Sequence, residues 1–378
     1  MPKQSPEIGA TIVISKPELD TILKSLSNLE YELEGPKVKD HTVILGPIQS
    51  ISDLPKGYTS QEEPGKYTLS SNGKDNYFDL TSGPQAWKKY FFPPRAQLMV
   101  FQQDPDKSPD WTLANAVQDA PCYALIGVRP CDLAGIQIQD KIFLEGDRCD
   151  PIYRDRREKA FILAANCTEP CGNCFCTSMG TGPKAEAGFD LSLTELKDHF
   201  LIEVGSETGS KVLTGLDWKA ADDKILKESD AALQATREKI ILNLPQPEKL
   251  KEELLSNLEH PQWADVAGRC LSCGSCTQVC PTCFCWDTTD VTKLPGDTII
   301  RERTWDSCFN PDYTYVAHGN TRPNTRARYR QWLTHKFASW YEQYGSSGCV
   351  GCGRCISWCP AEINHLEEIA AIREGEPS

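Results

Sequence analysis

The chain has 378 residues, a formal net charge of −13 and eighteen cysteines. Its length allows two domains, or a large one with a smaller companion, and its acidity argues against nucleic acid as the main partner. No charged start leads into a long apolar stretch and no apolar run has bilayer-spanning length, so a soluble, cytoplasmic protein is expected, with its cysteines acting as metal ligands in a reducing compartment.

The N-terminal two thirds read as mixed α/β. Residues 11–14 form a β-rich run. Residues 17–29 place Ile22, Leu23, Leu26 and Leu29 on one side of a helix, with Pro17 at a favoured early position. Residues 42–45 and 97–101 read as strands. Tyr123–Val128 reads as a buried strand, 132–143 as a helix and 160–165 as a second apolar strand, which together begin a parallel crossover unit. Gly180-Thr181-Gly182-Pro183 lacks the third glycine and the preceding strand of a dinucleotide loop. An ordinary turn is expected there, and no nicotinamide or flavin cofactor of the chain's own.

Residues 229–257 are charged and helical, broken by Pro245 and Pro247, and read as a connector. The expected fold class is α+β/α/β: an α/β domain over 1–228 carrying an extra cysteine metal site, a helical linker over 229–260, and a two-cluster ferredoxin-type domain over 261–378. That last domain is expected to be mainly helical, because its long insert, 281–348, contains a helical stretch over 325–344 with Trp332, Phe337, Trp340 and Tyr341.

Two copies of one cysteine spacing dominate this region: Cys270-x2-Cys273-x2-Cys276-x3-Cys280-Pro281 and Cys349-x2-Cys352-x2-Cys355-x3-Cys359-Pro360. This is the ligand run of two-cluster bacterial ferredoxins, in which each copy gives three thiolates to one 4Fe-4S cluster and its fourth to the other. Cys270, Cys273, Cys276 and Cys359 are therefore assigned to one cluster, and Cys349, Cys352, Cys355 and Cys280 to the second. Gly274 and Gly353 suit a tight turn after the second cysteine of each copy, and the prolines turn the fourth cysteine outward. Isolated CxxC pairs would fit zinc. The full run, twice and with its prolines, fits paired iron–sulfur clusters.

Ten cysteines remain. Four crowd into Cys167-Thr168-Glu169-Pro170-Cys171-Gly172-Asn173-Cys174-Phe175-Cys176. Cys131 sits at the expected junction of strand and helix. A third metal site is expected from Cys131, Cys167, Cys174 and Cys176, with Cys171 in reserve. An iron–sulfur cluster is favoured there over zinc, and unmetallated thiols are the bland alternative. Cys283, Cys285 and Cys308 read as packing around the first cluster, since three thiols do not complete a four-ligand shell. Arg301, Arg303, Arg322, Arg326, Arg328 and Arg330 could offset cluster charge or pair with a partner's acids, though each alone reads as a solvated surface residue. Asp132, Asp140, Asp147 and Asp150 read as surface or capping carboxylates. His318, His335 and His365 are not expected to be ligands. No Ser–His–Asp arrangement or HExxH helix occurs, and no catalytic residue is assigned.

The run from Cys270 to Cys285, continued by Trp305-Asp306-Ser307-Cys308-Phe309, resembles the beta subunit of cytosolic NAD(P)-linked nickel–iron hydrogenases (sulfhydrogenases) and its relative, the corresponding subunit of anaerobic sulfite reductase. Arg129-Pro130-Cys131-Asp132, the segment from Cys174 to Gly180, residues 83–94 and His335-Lys336-Phe337 carry the likeness over nearly the whole chain. The resemblance implies a non-catalytic electron-transfer subunit in a hetero-oligomer. Its partners would be a flavoprotein subunit that binds FAD and NAD(P), and hydrogenase-type catalytic and small subunits. It matches Cys131, Cys167, Cys174 and Cys176, and does not extend to Cys171. Rival readings are a sulfite reductase partner, a heterodisulfide-reductase-linked flavin complex, an enzyme acting at the third site and a redox sensor.

Overall fold

A computed structural model describes residues 5–81, 83–103, 110–114, 119–146, 149–294 and 296–375; Asp147 lies outside them. The strands are β1 (Thr11–Ser15), β2 (Glu32–Lys39), β3 (Thr42–Pro47), β4 (Tyr58–Glu63), β5 (Lys66–Ser71), β6 (Arg95–Gln103), β7 (Trp111–Ala114), β8 (Tyr123–Val128), β9 (Phe161–Ala165), β10 (Leu191–Glu195), β11 (His199–Val204), β12 (Lys219–Ala220), β13 (Trp286–Thr292) and β14 (Thr298–Trp305). An eight-stranded sheet runs β12-β1-β11-β10-β9-β8-β2-β3. Its four strands β10, β9, β8 and β2 are parallel, and antiparallel pairs complete both sides.

All five residues of β9 are buried because both faces of the sheet are covered. Phe161, Leu163 and Ala165 pack with Leu19, Ile22, Leu23 and Leu26 of the helix Glu18–Asn28. Ile162 and Ala164 pack on the opposite side with Leu133, Ile136 and Tyr153, from the helices Pro130–Phe143 and Pro151–Glu158. The parallel crossover read from sequence is thus β8, these two helices and β9. Gly127 carries the register shift in β8 at φ +86°, and a Cβ there would meet the Phe78 ring at 2.7 Å. Strand β10 was not legible in the sequence, since its polar residues Ser192, Thr194 and Glu195 are buried in the sheet.

The domain plan departs from expectation in two ways. The insert between the cysteine runs is not mainly helical: it contributes the hairpin β13–β14, and β14 pairs with β6 from the N-terminal half in the sheet β13-β14-β6-β7. The stretch 229–260, read as a helical linker, is also part of the packing. Leu244, Leu250 and Leu254 join Trp263, Phe309, Trp332, Phe337 and Ile369 in one buried core, which also takes Phe175 from the upstream cysteine loop. The two halves are therefore packed as one body, because each supplies apolar side chains to the other's core. The stretch 325–344 is helical in three pieces: Thr325–Thr334, capped by Asn324, then a π turn over His335–Ser339, then Trp340–Tyr344. Among the described residues no helix is long and apolar enough to cross a membrane.

Candidate metal centres

The two C-terminal runs fold alike. Gly274 and Gly353 both take φ +74° and start the short turns Ser275–Gln278 and Arg354–Ser357. Two residues after the first cysteine of each run, a backbone N–H donates to its sulfur: Ser272 N to Cys270 Sγ and Gly351 N to Cys349 Sγ, each at 3.4 Å. Ser272 and Gly351 reach that position with φ of +51° and +64°. A loop wound this way gathers thiols around a volume and turns its amides towards them.

Cys270, Cys273, Cys276 and Cys359 border one recess, together with Tyr329, Trp332, His365 and Cys355. Tyr329 Oη, Trp332 Nε1 and His365 Nε2 are buried and have no hydrogen-bond partner among the described residues. Buried donors left this way are costly unless an acceptor meets them, and the sulfurs of a cluster are acceptors. The recess therefore fits a 4Fe-4S group by its donors as well as by its thiols. Burial, and then Lys336, push His365 down to about 3, so its ring stays neutral.

Cys280 lies close enough to Cys349, Cys352 and Cys355 to act on all three. The Cys355 thiol is pushed well up by burial and then by Cys352, Cys349 and Cys280. Burial lifts Cys349 to about 12. Cys280 goes the other way: a hydrogen bond from Cys283 holds it well below the usual thiol range, and the charges of Lys336 and Lys88 add to that. Lys336 Nζ lies 3.3 Å from Cys280 Sγ. A metal would have to displace protons from the burial-raised thiols, as thiolate ligation requires.

The third set comes from the carboxyl ends of two neighbouring parallel strands, the usual place for a site in an open α/β sheet. After β8, Pro130 opens a helix and puts Cys131 in its first turn. After β9 the chain reaches Cys167. Cys131, Cys167, Cys171, Cys174 and Cys176 all border one recess, with Glu62, Arg129, Arg354 and Cys352. Cys171, held in reserve by the sequence reading, is among them. Asn173 N donates to its sulfur at 3.4 Å, repeating the bond found at Cys270 and Cys349. Burial raises Cys167 to about 11 and lifts Cys131 and Cys171 further. Glycines let the loops meet: a Cβ on Gly353 would lie 2.4 Å from Asn173 O, and one on Gly351 2.7 Å from Cys176 Cα.

Of the other thiols, Cys283 and Cys308 are buried and Cys285 is half-buried. Cys285 is held down to about 6 by a hydrogen bond from Cys308. Both pack against the C-terminal core. Cys122 is exposed, and Cys149 lies beside the Asp150 carbonyl at 3.8 Å.

Several expectations for charged residues are corrected. Asp132 is neither a surface nor a capping group; it is 1% exposed and paired with Arg354. Asp150 does cap, accepting from Tyr153 N at 2.9 Å, and also holds Arg303. Asp140 accepts from Tyr153 Oη at 2.8 Å and pairs with Arg157. Arg303 and Arg328 are buried. Arg301 pairs with Asp290, and Arg326 and Arg330 with Glu259. The sequence reading also missed Lys88, Arg129, Lys336 and Arg354. Only a basic residue inside an apolar or cysteine-rich run marks such positions, and surface lysines look the same.

The 4Fe-4S dicluster domain family matches residues 269–363. The chain is 35% identical over 296 residues to sulfhydrogenase 2 subunit beta of Pyrococcus furiosus, covering 76% of this chain and 83% of that protein. No solved structure matches. The dicluster match falls on the two cysteine runs, while the longer match takes in most of the chain. On those two likenesses the chain belongs to the sulfhydrogenase beta-subunit family: it is an iron–sulfur electron-transfer subunit of a hydrogenase-type complex.

Proposed function

We propose that the chain holds three 4Fe-4S clusters in a row, linking a flavoprotein subunit that binds FAD and NAD(P) to the catalytic and small subunits of a nickel–iron hydrogenase. One observation carries the row. Cys355 borders the recess of the first set, and Cys352, in the same run, borders the recess of the third. The second set therefore lies between the other two.

Each such cluster supplies acceptance and release of one electron at low potential. The protein's own contribution is to hold the thiols, bury them and present N–H groups to them. Cys270, Cys273, Cys276 and Cys359 would ligate the first cluster, and Cys280, Cys349, Cys352 and Cys355 the second. Four of the five thiols at the upstream recess would ligate the third: Cys131, Cys167, Cys174 and Cys176 form the proposed set, and the hydrogen bond that Asn173 N donates to Cys171 Sγ makes Cys171 the fifth candidate. Among the described residues no three His, Cys, Asp or Glu side chains converge as closely as a single ion needs. Thiols bordering a volume suit a cluster better than a lone zinc ion. No catalytic residue is proposed, and a cytoplasmic setting accords with so many free thiols.

Iron analysis of the full chain purified without oxygen tests the cluster count: about twelve irons support three clusters, and about eight remove the third. The relay is tested in the assembled complex with Cys355→Ser. NAD(P)-linked hydrogen turnover should be lost while dye-linked turnover at the catalytic subunit persists. Retention of the linked rate would overturn the relay.

A further inference from the structure

The π turn His335–Ser339 carries Lys336 into the protein, where it is 4% exposed. Single π turns inside helices frequently mark functional positions. Lys336 Nζ makes three contacts: Cys280 Sγ at 3.3 Å, Thr282 Oγ1 at 3.1 Å and Gly348 O at 3.0 Å. Thr282 donates its own proton to Gly348 O at 2.6 Å, which leaves its oxygen free to accept from the lysine. Three acceptors match the three donors of an ammonium group; a neutral amine has only two protons and would bring a lone pair against one of them. Around it lie the thiols of Cys280, Cys283 and Cys349 and a second buried cation, Lys88, and among the described residues no carboxylate pairs with it.

A buried ammonium with no carboxylate counter-ion needs another anion. Thiolates bound to an iron–sulfur cluster are such an anion. The geometry points to Lys336 as a tuning residue for the second cluster, fixing a positive charge and an N–H···S hydrogen bond on its ligand Cys280. Net charge and hydrogen bonds to sulfur set the potentials of such clusters. Reduction adds negative charge, so a nearby cation favours the reduced state and raises the potential. Among the described hydrogen bonds no other lysine meets a ligand sulfur, while in the third set Arg129 stands beside Cys167. The second cluster therefore sits higher in potential than it would by its thiolates alone. This inference rests on the assignment of Cys280 to the second cluster.

The test is a redox titration followed by EPR on the full chain, purified without oxygen, as unsubstituted protein and as Lys336→Met, Lys336→Gln and Lys336→Arg. In Lys336→Met the equilibrium constant for reducing one cluster should fall about tenfold, which is 59 mV for one electron; the remaining potentials should not move. Lys336→Gln keeps donors but drops the charge. It should show a shift in the same direction and serves as the readout if Lys336→Met loses iron. Lys336→Arg should stay near the unsubstituted value. Potentials that do not move in a fully loaded Lys336→Met or Lys336→Gln protein overturn the proposal, as does an equal shift of every cluster. Failure of the cluster reading itself looks different: the unsubstituted chain would then show no cluster signals.

Discussion

Arg354 and Asp132 close on each other through two parallel hydrogen bonds, Nη1 to Oδ1 at 2.8 Å and Nη2 to Oδ2 at 2.5 Å. Their side chains are 4% and 0% exposed. Asp132 follows Cys131, and Arg354 lies between Cys352 and Cys355. The pair therefore ties the carboxyl end of β8 to the second cysteine run, across 222 residues of sequence. Planar, bidentate geometry of this kind fixes orientation as well as distance.

Removing one partner leaves a buried, unpaired charge, which costs about 3–5 kcal/mol. Asp132→Ala should lose that much in anaerobic chemical denaturation. Asp132→Leu combined with Arg354→Met should lose far less than the sum of the two single changes. Simple additivity would show that the two side chains do not act as a pair.

Gly353→Ala tests the contact between the second run and the upstream cysteine loop. The added Cβ would press on the Asn173 carbonyl at 2.4 Å, from a backbone at φ +74° that side chains rarely adopt. Neither the carbonyl nor the loop around it is a flexible side chain, so the loop must move. A strain of about 1–3 kcal/mol should appear as a lower melting temperature and loss of iron from the third set. A fully loaded protein with unchanged melting would mean that the loops are not held this closely.

Cys174→Ser removes a buried thiol from the upstream recess. The iron content should fall from about twelve to about eight, with the EPR signals of the other two clusters retained. Cys149→Ser changes a thiol outside that recess and should leave the iron content as it was. Equal iron in Cys174→Ser and the unsubstituted chain would remove Cys174 from the ligand set.

Glu34, on β2, is buried and accepts from Tyr90 Oη at 2.6 Å. Burial raises its carboxyl above the ordinary 4.5, with Tyr90 and Lys89 only partly opposing. A carboxyl raised on folding favours the protonated form. Its contribution is fully present below pH 4.5 and is lost as pH rises through the folded value. Glu34→Gln keeps an acceptor for Tyr90 without the charge. Its melting temperature should exceed that of the unsubstituted chain at pH 7.5, and the gain should vanish near pH 4. A gain that persists at pH 4 would assign the effect to something other than ionisation.

Much of the local structure was legible in the sequence. Residues 17–29 declared their helix through Ile22, Leu23 and Leu26, and the helix runs Glu18–Asn28. Tyr123–Val128 declared its strand through an unbroken apolar run. β10 did not, because Ser192, Thr194 and Glu195 are polar yet buried. Glu195 is held by Lys16 at 3.0 Å and by the backbone N–H groups of Tyr77 and Phe78. A strand whose polar groups are satisfied by distant residues carries no local apolar signal.

The order of residues along the chain dictates the spacing of the thiols and the turns that present them, since a CxxCxxC loop is built from residues within a few positions of one another and its glycines and prolines act locally. Long-range packing settles the rest: which loops share a recess, that Cys171 borders the third one, that Lys336 lies against Cys280 and that Arg354 finds Asp132. Those neighbours are 56 and 222 residues apart. Strand order, helix packing and the shared core bring them together, and none of these is written in the spacing of any one segment.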